Sequence, residues 1–199
     1  VKQLILELSK LFLLAMKLTI KLQKLKETQQ HLSKGDIIID GSNSYYKDTM
    51  RRAACSLRNG VSFLDIGISG GLSGLTEGYS LMVGGDVEAY QYLEPVLKTL
   101  APAHDMGYGR VGPSGAGHFV KMIHNGIEYG LMEAYAEGLE ILRAKTEFQL
   151  DVEAIVKIWK HGSVIRSWLL DLVTNILSSN PNLSSIHPVG PRNMFDFSL

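Results

Sequence analysis

Three consecutive isoleucines, Ile37 to Ile39, constrain the fold of this 199-residue chain more than any other feature. A β-branched run bounded by Gly35 and Gly41 is typical of a strand that is buried on both faces. A helical pattern follows from Tyr45 to Asn59, and a second apolar run extends from Ser62 to Ile68. The order strand, helix, strand predicts two parallel neighbours in an α/β sheet.

The remainder of the chain changes from mixed patterns to purely helical ones. We expect a strand over Tyr79 to Val83, then a helix over Val87 to Leu100 that breaks or restarts at Glu94-Pro95. After Ser114, a candidate N-cap, one long helix is predicted to run to about Lys145. Two further helical patterns complete the all-α half, over Asp151 to Lys160 and over Val164 to Leu177.

Charge and cysteine content exclude several classes of partner. Twenty basic residues balance twenty acidic ones, so no bulk field attracts nucleic acid or an anionic membrane. Lys10 and Lys17 bracket the apolar run within residues 1–30, which favours an amphipathic helix over a membrane span of about 20 residues. Cys55 is the only cysteine and no Cys/His cluster has metal-site spacing, so we expect no metal and a reducing cytoplasm.

One face of the long predicted helix carries five chemically different side chains. At about 100° per residue they span an arc of roughly 140°. They occupy positions i, i+3, i+4, i+7 and i+8, and are Lys121, His124, Asn125, Glu128 and Tyr129. Solvated helix faces favour repeated Lys and Glu, whereas these types suit recognition of hydroxyls and a carboxylate. On the residues alone, a ligand site and a solvated face have equal weight.

Two glycine-bearing turns follow the first two predicted strands. They are Asp40-Gly41-Ser42-Asn43-Ser44 and Ser69-Gly70-Gly71. In open α/β sheets, ligands lie beyond the carboxyl ends of strands, where glycines let backbone amides approach a carboxylate or phosphate. Either turn alone is more simply explained as ordinary turn chemistry. Their combination with the polar helix favours a site.

The order and spacing of these motifs resemble 6-phosphogluconate dehydrogenase, the decarboxylating enzyme of the pentose phosphate route, in its shorter bacterial form. The resemblance covers about Leu32 to Val173 and rests on Gly35 to Ser44, Ser69 to Gly71, Tyr79 to Gly85, Gly115 to Gly130 and His161 to Leu172. It implies a partial Rossmann-like domain with a parallel sheet in residues 1–112. An all-α domain that opens with the long helix would occupy residues 113–177, and a loose tail residues 178–199.

The resemblance also implies a reaction. The family transfers a hydride from C3 of 6-phosphogluconate to NAD or NADP, then releases C1 as carbon dioxide and leaves ribulose 5-phosphate. Lys121 would be the general base on the C3 hydroxyl, which requires a neutral amine, and Glu128 the acid that protonates C1 of the enediol left by decarboxylation.

The implied substrate contacts come from both glycine turns, the long helix and the segment after His161, and are Asn43, Ser69, Gly70, Gly71, His124, Asn125, Tyr129 and Arg166. Tyr129 and Arg166 would take the phosphate, and Asn43 would also contact the cofactor. His118 and His161 are interpreted as structural.

The sequence departs from the family pattern in three places. No Gly-x-Gly-x-x-Gly turn follows a strand, so the motifs include neither a pyrophosphate cradle nor the residue that chooses between NAD and NADP. Ser42 stands where the family has a second glycine, which would cost about 1 kcal/mol if its φ were positive. An Arg and a His that the family supplies to a neighbouring subunit have no counterpart in Thr174 to Leu199. We therefore expect a fragment of a longer enzyme.

Two alternatives to a 6-phosphogluconate dehydrogenase stay open. A β-hydroxyacid dehydrogenase for another small acid would keep Lys121 and Asn125 and have less need of Glu128. A non-catalytic fragment would bind sugar phosphate or a partner through its helices without turnover. The resemblance further implies a homo-oligomer built on the α domain.

Overall fold

The computed structural model describes residues 31–180. The amphipathic helix predicted for residues 1–30, and residues 181–199 of the predicted tail, lie outside this range. The predicted start of the tail at Ser178 is wrong, because the last helix continues to Ser179. Contacts divide the chain into two compact units, with the division between Gly126 and Ile127.

The described elements follow the predicted order closely. They are β1 (Ile37–Asp40), α1 (Tyr46–Arg58), β2 (Ser62–Ser69), a 3-10 turn (Gly71–Ser73), α2 (Gly74–Glu77), β3 (Ser80–Gly85), α3 (Val87–Leu100), β4 (Tyr108–Gly112), α4 (Ala116–Ala144), a second 3-10 turn (Thr146–Phe148), α5 (Val152–Trp159) and α6 (Trp168–Ser179). None of the helices within residues 31–180 is both long and apolar enough to cross a membrane.

The four strands form one sheet in the order β1-β2-β3-β4. β1 and β2 are parallel, as predicted, with Asp40 opposite Asp65. β3 runs antiparallel to β2 and parallel to β4, so the sheet is mixed rather than fully parallel. The connection from Ser69 to Ser80 contains only a 3-10 turn and the four-residue α2. It is too short for the crossover that a parallel return would need.

β2 is buried on both faces because its two sets of alternate side chains meet different partners. Leu64, Ile66 and Ile68 point into a core that Leu81 and Val83 of β3, and Ala89 and Leu97 of α3, complete. On the opposite face lie Phe63, 4% exposed, and Asp65, fully buried. A charged side chain at such a position requires a dedicated partner.

Asp65 meets that requirement by capping the first turn of α4. Its Oδ1 accepts a hydrogen bond from the backbone N–H of Gly115 at 2.7 Å, and its Oδ2 accepts one from the backbone N–H of His118 at 2.9 Å. The prediction that Ser114 caps this helix is therefore wrong, since the Ser114 hydroxyl donates to the carbonyl of Phe63 instead. A carboxylate from a neighbouring strand both satisfies the unpaired amides and complements the positive end of the helix dipole.

Glycines let α4 lie directly against the sheet. A Cβ on Gly117 would lie 2.4 Å from the carbonyl oxygen of Asp65 and 2.5 Å from that of Met82. A Cβ on Gly84 would lie 2.6 Å from the backbone nitrogen of Gly117. Both separations are shorter than van der Waals contact, so neither position accepts a side chain without a shift of backbone.

α1 is fastened to the same first turn of α4. The hydroxyl of Thr49 lies 2.8 Å from Nδ1 of His118, and both side chains are buried. The rings of Tyr46 and Phe119 meet edge to face with centroids 5.2 Å apart. His118 is thus part of the contact between two helices, in agreement with its structural interpretation.

The predicted break at Glu94-Pro95 is wrong, because α3 continues without interruption through Pro95. Ala89 and Leu97 are buried on the same side of the helix, one before and one after the proline. Pro95 itself is exposed, as is Gln91. The carbonyl that loses its partner therefore faces water, and packing against the sheet holds the helix together.

The second unit has its own small core. Leu139 of α4, Val156 of α5, and Leu170 and Leu177 of α6 form it. Asp151 caps α5 through Ala154, as the predicted start near Asp151 implies. α6 starts at Trp168 rather than at Val164, because the hydroxyl of Ser167 caps the helix through the N–H of Leu170.

We expect Asp65→Asn to lower the free energy of unfolding by about 3 kcal/mol, because an amide presents a donor to one of two buried backbone N–H groups. Denaturant unfolding of the purified chain measures this loss. Asp86, an exposed cap that accepts from Glu88 and Ala89, is the matched control. Asp86→Asn should change stability by less than about 0.5 kcal/mol, since Asn caps helices as well as Asp does. Equal effects of the two changes would contradict the role given to Asp65.

Acid should weaken the contact between α5 and the end of α6. Glu153 accepts hydrogen bonds from Lys157 at 2.5 Å and from Ser178 at 2.8 Å, and these bonds, Lys157 first, lower the pKa of Glu153. A lowered pKa stabilises the fold above the unfolded value of about 4.3, and this contribution disappears as the pH falls through the folded value. Unfolding curves between pH 6 and pH 3 should therefore show a weaker pH dependence for Glu153→Gln than for the unmodified chain. Ser178→Ala, which leaves the Lys157 bond, should keep most of the dependence.

Candidate active site

The first glycine turn lies at the carboxyl end of β1 and is held by a network of side chains. Asp40, 4% exposed, accepts from the backbone N–H of Ser42 at 3.1 Å and from its hydroxyl at 2.5 Å. The same carboxylate pairs with Arg52 of α1 at 3.2 Å. Arg52 also donates to Ser44, whose hydroxyl lies 2.6 Å from that of Ser42. The exposed Asn43 lies between the two tied serines.

Ser42 causes no backbone strain at the position where the family has glycine. Among residues 31–180, Gln149 is the only non-glycine with a positive φ. The cost anticipated for a positive φ at Ser42 therefore does not arise. Its hydroxyl instead supplies a link between Asp40 and Ser44 that a glycine lacks.

The second glycine turn follows the carboxyl end of β2. Gly70 has φ of +134° and Gly71 has φ of +51°, both in the region that favours glycine. A Cβ on Gly70 would also lie 3.1 Å from the ring of Tyr79. Because β1 and β2 are parallel, both glycine turns lie toward the same edge of the sheet, as predicted. β2 extends four residues beyond the level of Asp40, so the two turns are offset along the strands.

Lys121 of α4 is buried against β2. Its side chain is 6% exposed, and it packs over Gly67, where an added Cβ would lie only 2.4 Å from Cβ of Lys121. The amine Nζ donates to Oδ1 of Asn125 at 2.6 Å and lies 3.2 Å from Nδ1 of His124. Three of the predicted site residues are therefore in direct contact.

These contacts fix the orientation of the neutral side chains. Lys121 has no acceptor atom, so the carbonyl oxygen of Asn125 faces the amine and its NH₂ group faces the other way. Where the amine donates to Nδ1 of His124, the imidazole carries its hydrogen on Nε2. One amine, one amide and one imidazole thus form a chain of hydrogen bonds on the surface of α4.

Glu128, Tyr129 and Arg166 belong to the second unit. Glu128 and Tyr129 are half-buried and follow Asn125 along α4 at the predicted helical spacing. Arg166 is exposed and lies in the turn before α6, with its N–H bonded to the carbonyl of Ser163 at 3.1 Å. The prediction that a helix beginning at Val164 carries Arg166 is wrong.

Several residues that shape the site escaped the sequence-based prediction. Asp65 and Gly67 position α4 and Lys121, and Arg52 orders the turn that carries Asn43. An acidic residue within the apolar run Phe63 to Ile68 was an available signal, because a buried carboxylate almost always has a specific partner. The link between Thr49 and His118 left no such signal, since it joins residues 69 positions apart. Within residues 31–180, no group of three or more His, Cys, Asp or Glu side chains could hold a metal ion.

An α/β unit with glycine turns after its parallel strands, followed by a long helix, is typical of nicotinamide-dependent dehydrogenases. The family model for the NAD binding domain of 6-phosphogluconate dehydrogenase matches residues 10–109. The model for the C-terminal domain of the same enzyme matches residues 117–147 and 134–188. The chain belongs to the 6-phosphogluconate dehydrogenase family.

Individual relatives agree with this assignment. The NAD(+)-dependent, decarboxylating 6-phosphogluconate dehydrogenase of Haloferax volcanii is 49% identical over 149 residues, which cover 74% of this chain and 48% of that protein. Among solved structures, Plasmodium falciparum 6-phosphogluconate dehydrogenase matches with a TM-score of 0.71 at 33% identity, over 78% of this chain and 34% of that chain. It was solved in its apo form, with NADP+ and with 6-phosphogluconate.

A more distant enzyme shares the fold. The 3-hydroxyisobutyrate dehydrogenase of Mycobacterium tuberculosis matches with a TM-score of 0.61 at 22% identity, over 73% of this chain and 48% of that chain. This chain spans about half or less of the length of each of these proteins.

Gly67→Ala should displace Lys121 and reduce the free energy of unfolding by about 1–3 kcal/mol, because the new methyl group overlaps both Lys121 and the carbonyl of Gly117. Gly109→Ala is the matched control, since Gly109 is also in a strand and has no atom within 4 Å of an added Cβ. Denaturant unfolding of both variants makes the comparison. A Gly67→Ala variant as stable as Gly109→Ala would contradict the close contact between β2 and α4.

Proposed function

We propose that this chain carries the substrate-binding part of a decarboxylating 6-phosphogluconate dehydrogenase, which converts 6-phosphogluconate to ribulose 5-phosphate and carbon dioxide. The hydrogen-bonded chain of the buried Lys121 with the half-buried Asn125 and His124 carries the proposal. A solvated helix face does not bury its lysine to 6% exposure. This burial therefore favours a ligand site over a solvated helix face.

Lys121 is the general base in this proposal. Its amine takes the proton from the C3 hydroxyl of the substrate as C3 is oxidised to a ketone. The side chain lies against Gly67, and a base at this position acts in its neutral form. Asn125 and His124 hold the amine in place and hydrogen-bond substrate oxygens.

Glu128 is the general acid. Loss of the C1 carboxylate as carbon dioxide leaves an enediol, and the carboxyl group of Glu128 delivers a proton to C1 of that enediol, the former C2 of the substrate, to give ribulose 5-phosphate. Ser69, Gly70 and Gly71 bind the carboxylate end through backbone amides of the turn, whose two glycines adopt positive φ and let an anion approach the backbone closely. Tyr129 and Arg166 bind the phosphate, for which the planar guanidinium fork is suited.

The first glycine turn fits one part of a nicotinamide dinucleotide. Asn43 is exposed at the carboxyl end of β1, on a turn that Asp40, Ser42 and Arg52 hold in place. When bound, the nicotinamide accepts the hydride from C3. We propose Asn43 as a contact to both the substrate and the cofactor, which is NAD or NADP.

The remaining proposals concern the organisation of the protein. The family matches end at residue 109 and resume at residue 117, which supports a domain boundary near residue 112. We propose a homo-oligomer, supported by the large exposed apolar side chains of the second unit, among them Ile127, Ile141 and Ile158. We also propose a cytoplasmic location, in keeping with a sequence whose single cysteine, Cys55, excludes an internal disulfide.

This chain, joined to the pyrophosphate-binding part of a family member and supplied with 6-phosphogluconate and either NAD or NADP, should reduce the nicotinamide and release carbon dioxide in equal amounts. Lys121→Met should lower kcat by at least about a hundredfold, because it removes the base and keeps the volume of the side chain. Glu128→Gln should slow carbon dioxide release or C1 protonation by a similar factor. Lys145→Met changes an exposed lysine and should leave the rate unchanged.

The outcomes separate the alternatives. Reduction that is equally fast with unphosphorylated small hydroxy acids would favour a β-hydroxyacid dehydrogenase. Saturable binding of 6-phosphogluconate without reduction would identify a non-catalytic sugar-phosphate binder. Turnover that survives both Lys121→Met and Glu128→Gln would contradict the proposed roles.

A further inference from the structure

The hydroxyl of Tyr135 joins two residues that flank Arg166. Its Oη lies 2.5 Å from the carbonyl oxygen of Ile165 and 2.7 Å from Oγ of Ser167. Arg166 stands between these two residues, in the turn before α6. All four residues belong to the second unit. The hydroxyl of Tyr135 therefore makes hydrogen bonds with the residues on both sides of Arg166.

The direction of each hydrogen bond follows from the number of donors and acceptors. The carbonyl of Ile165 can only accept, so it takes the single hydrogen of the Tyr135 hydroxyl. Ser167 must then donate its own hydrogen to Oη of Tyr135. Oγ of Ser167 accepts from the N–H of Leu170 at 3.1 Å. The bonds run in one direction, from the first turn of α6 through Ser167 and Tyr135 to Ile165.

Tyr135 is suited to hold this turn because its ring is fixed. The ring packs against the core that Leu139, Val156, Leu170 and Leu177 form. The turn receives a second anchor from Ser163, whose carbonyl accepts from the N–H of Arg166 at 3.1 Å and whose hydroxyl accepts from Ile165 at 3.3 Å. The backbone of Arg166 is thus held from three directions.

The guanidinium of Arg166 is exposed, and no hydrogen bond or ion pair to another residue of the described range 31–180 engages it. A fixed backbone with an unengaged planar fork is the arrangement that bidentate binding of an oxyanion requires. We propose that Tyr135 is a positioning residue that orients Arg166 toward the phosphate of the substrate. This inference rests on the proposed function, in which Arg166 binds that phosphate.

Tyr135→Phe removes only the hydroxyl and should act through Arg166. The KM for 6-phosphogluconate should rise about fivefold, as expected for the loss of one or two hydrogen bonds, while kcat stays within about twofold. The KM for the nicotinamide cofactor should not change. In an Arg166→Gln background, Tyr135→Phe should have no further effect. Tyr92, an exposed tyrosine of the first unit, provides the control variant Tyr92→Phe.

Amide hydrogen exchange gives a second readout that needs no turnover. The N–H groups of Arg166 and Leu170 should exchange about tenfold faster in Tyr135→Phe, and at the original rate in Tyr92→Phe. Unchanged exchange would overturn the inference. The inference would also be overturned if the change in KM of the double variant equals the product of the separate changes caused by Tyr135→Phe and Arg166→Gln.

A chain that does not turn over 6-phosphogluconate would contradict the proposed function and leave the positioning role to be decided separately. Titration with inorganic phosphate, followed by the side-chain NMR signal of Arg166, then decides it. Binding that weakens in Tyr135→Phe supports the inference. Absence of binding, or binding that Tyr135→Phe leaves unchanged, overturns it.

Discussion

The carboxylate of Asp65 determines where α4 begins, and the position of Lys121 follows from that start. Each of its oxygens holds one backbone N–H of the first turn, at Gly115 and at His118. Gly117 allows the helix backbone to touch the strand, and Lys121, one turn further on, lies over Gly67, two residues beyond Asp65 in β2. Because β2 and α4 run alongside each other from this cap, the buried amine of Lys121 has a fixed position along the strand.

The neighbouring strand raises the energetic cost of burying the charge of Asp65. Asp40 pairs with Asp65 in the parallel register, so two carboxylates occupy adjacent positions on the same face of the sheet. Like charges opposite one another destabilise a sheet unless each has its own compensation. Asp40 has the guanidinium of Arg52, and Asp65 has the positive end of α4. Two buried charges can therefore coexist within one small layer of the fold.

Periodicity and turn chemistry predicted the order of the other elements from β1 to α6, the parallel pairing of β1 with β2 and the shared helix face of Lys121 and Asn125, but neither the short α2 nor β4. These features depend on residues close in sequence. The wrong predictions involve competition from tertiary structure. Core packing on both sides of Pro95 overrode its tendency to break α3, and a carboxylate from β2 replaced Ser114 as the cap of α4. The late start of α6 depends on Ser167, which Tyr135 of another helix holds.

The turn that carries Asn43 shows what a serine can add at a position where the sequence resemblance implies a glycine. Ser42 connects the carboxylate of Asp40 to the hydroxyl of Ser44, and Arg52 closes the network. A glycine at this position would leave the turn with many backbone conformations, most of which a bound ligand must eliminate. The hydrogen bonds through Ser42 restrict the backbone of the turn when the protein folds, so this entropy is not lost again on binding. Asn43 is then presented in a narrow range of orientations, which shortens the conformational search that precedes each binding event.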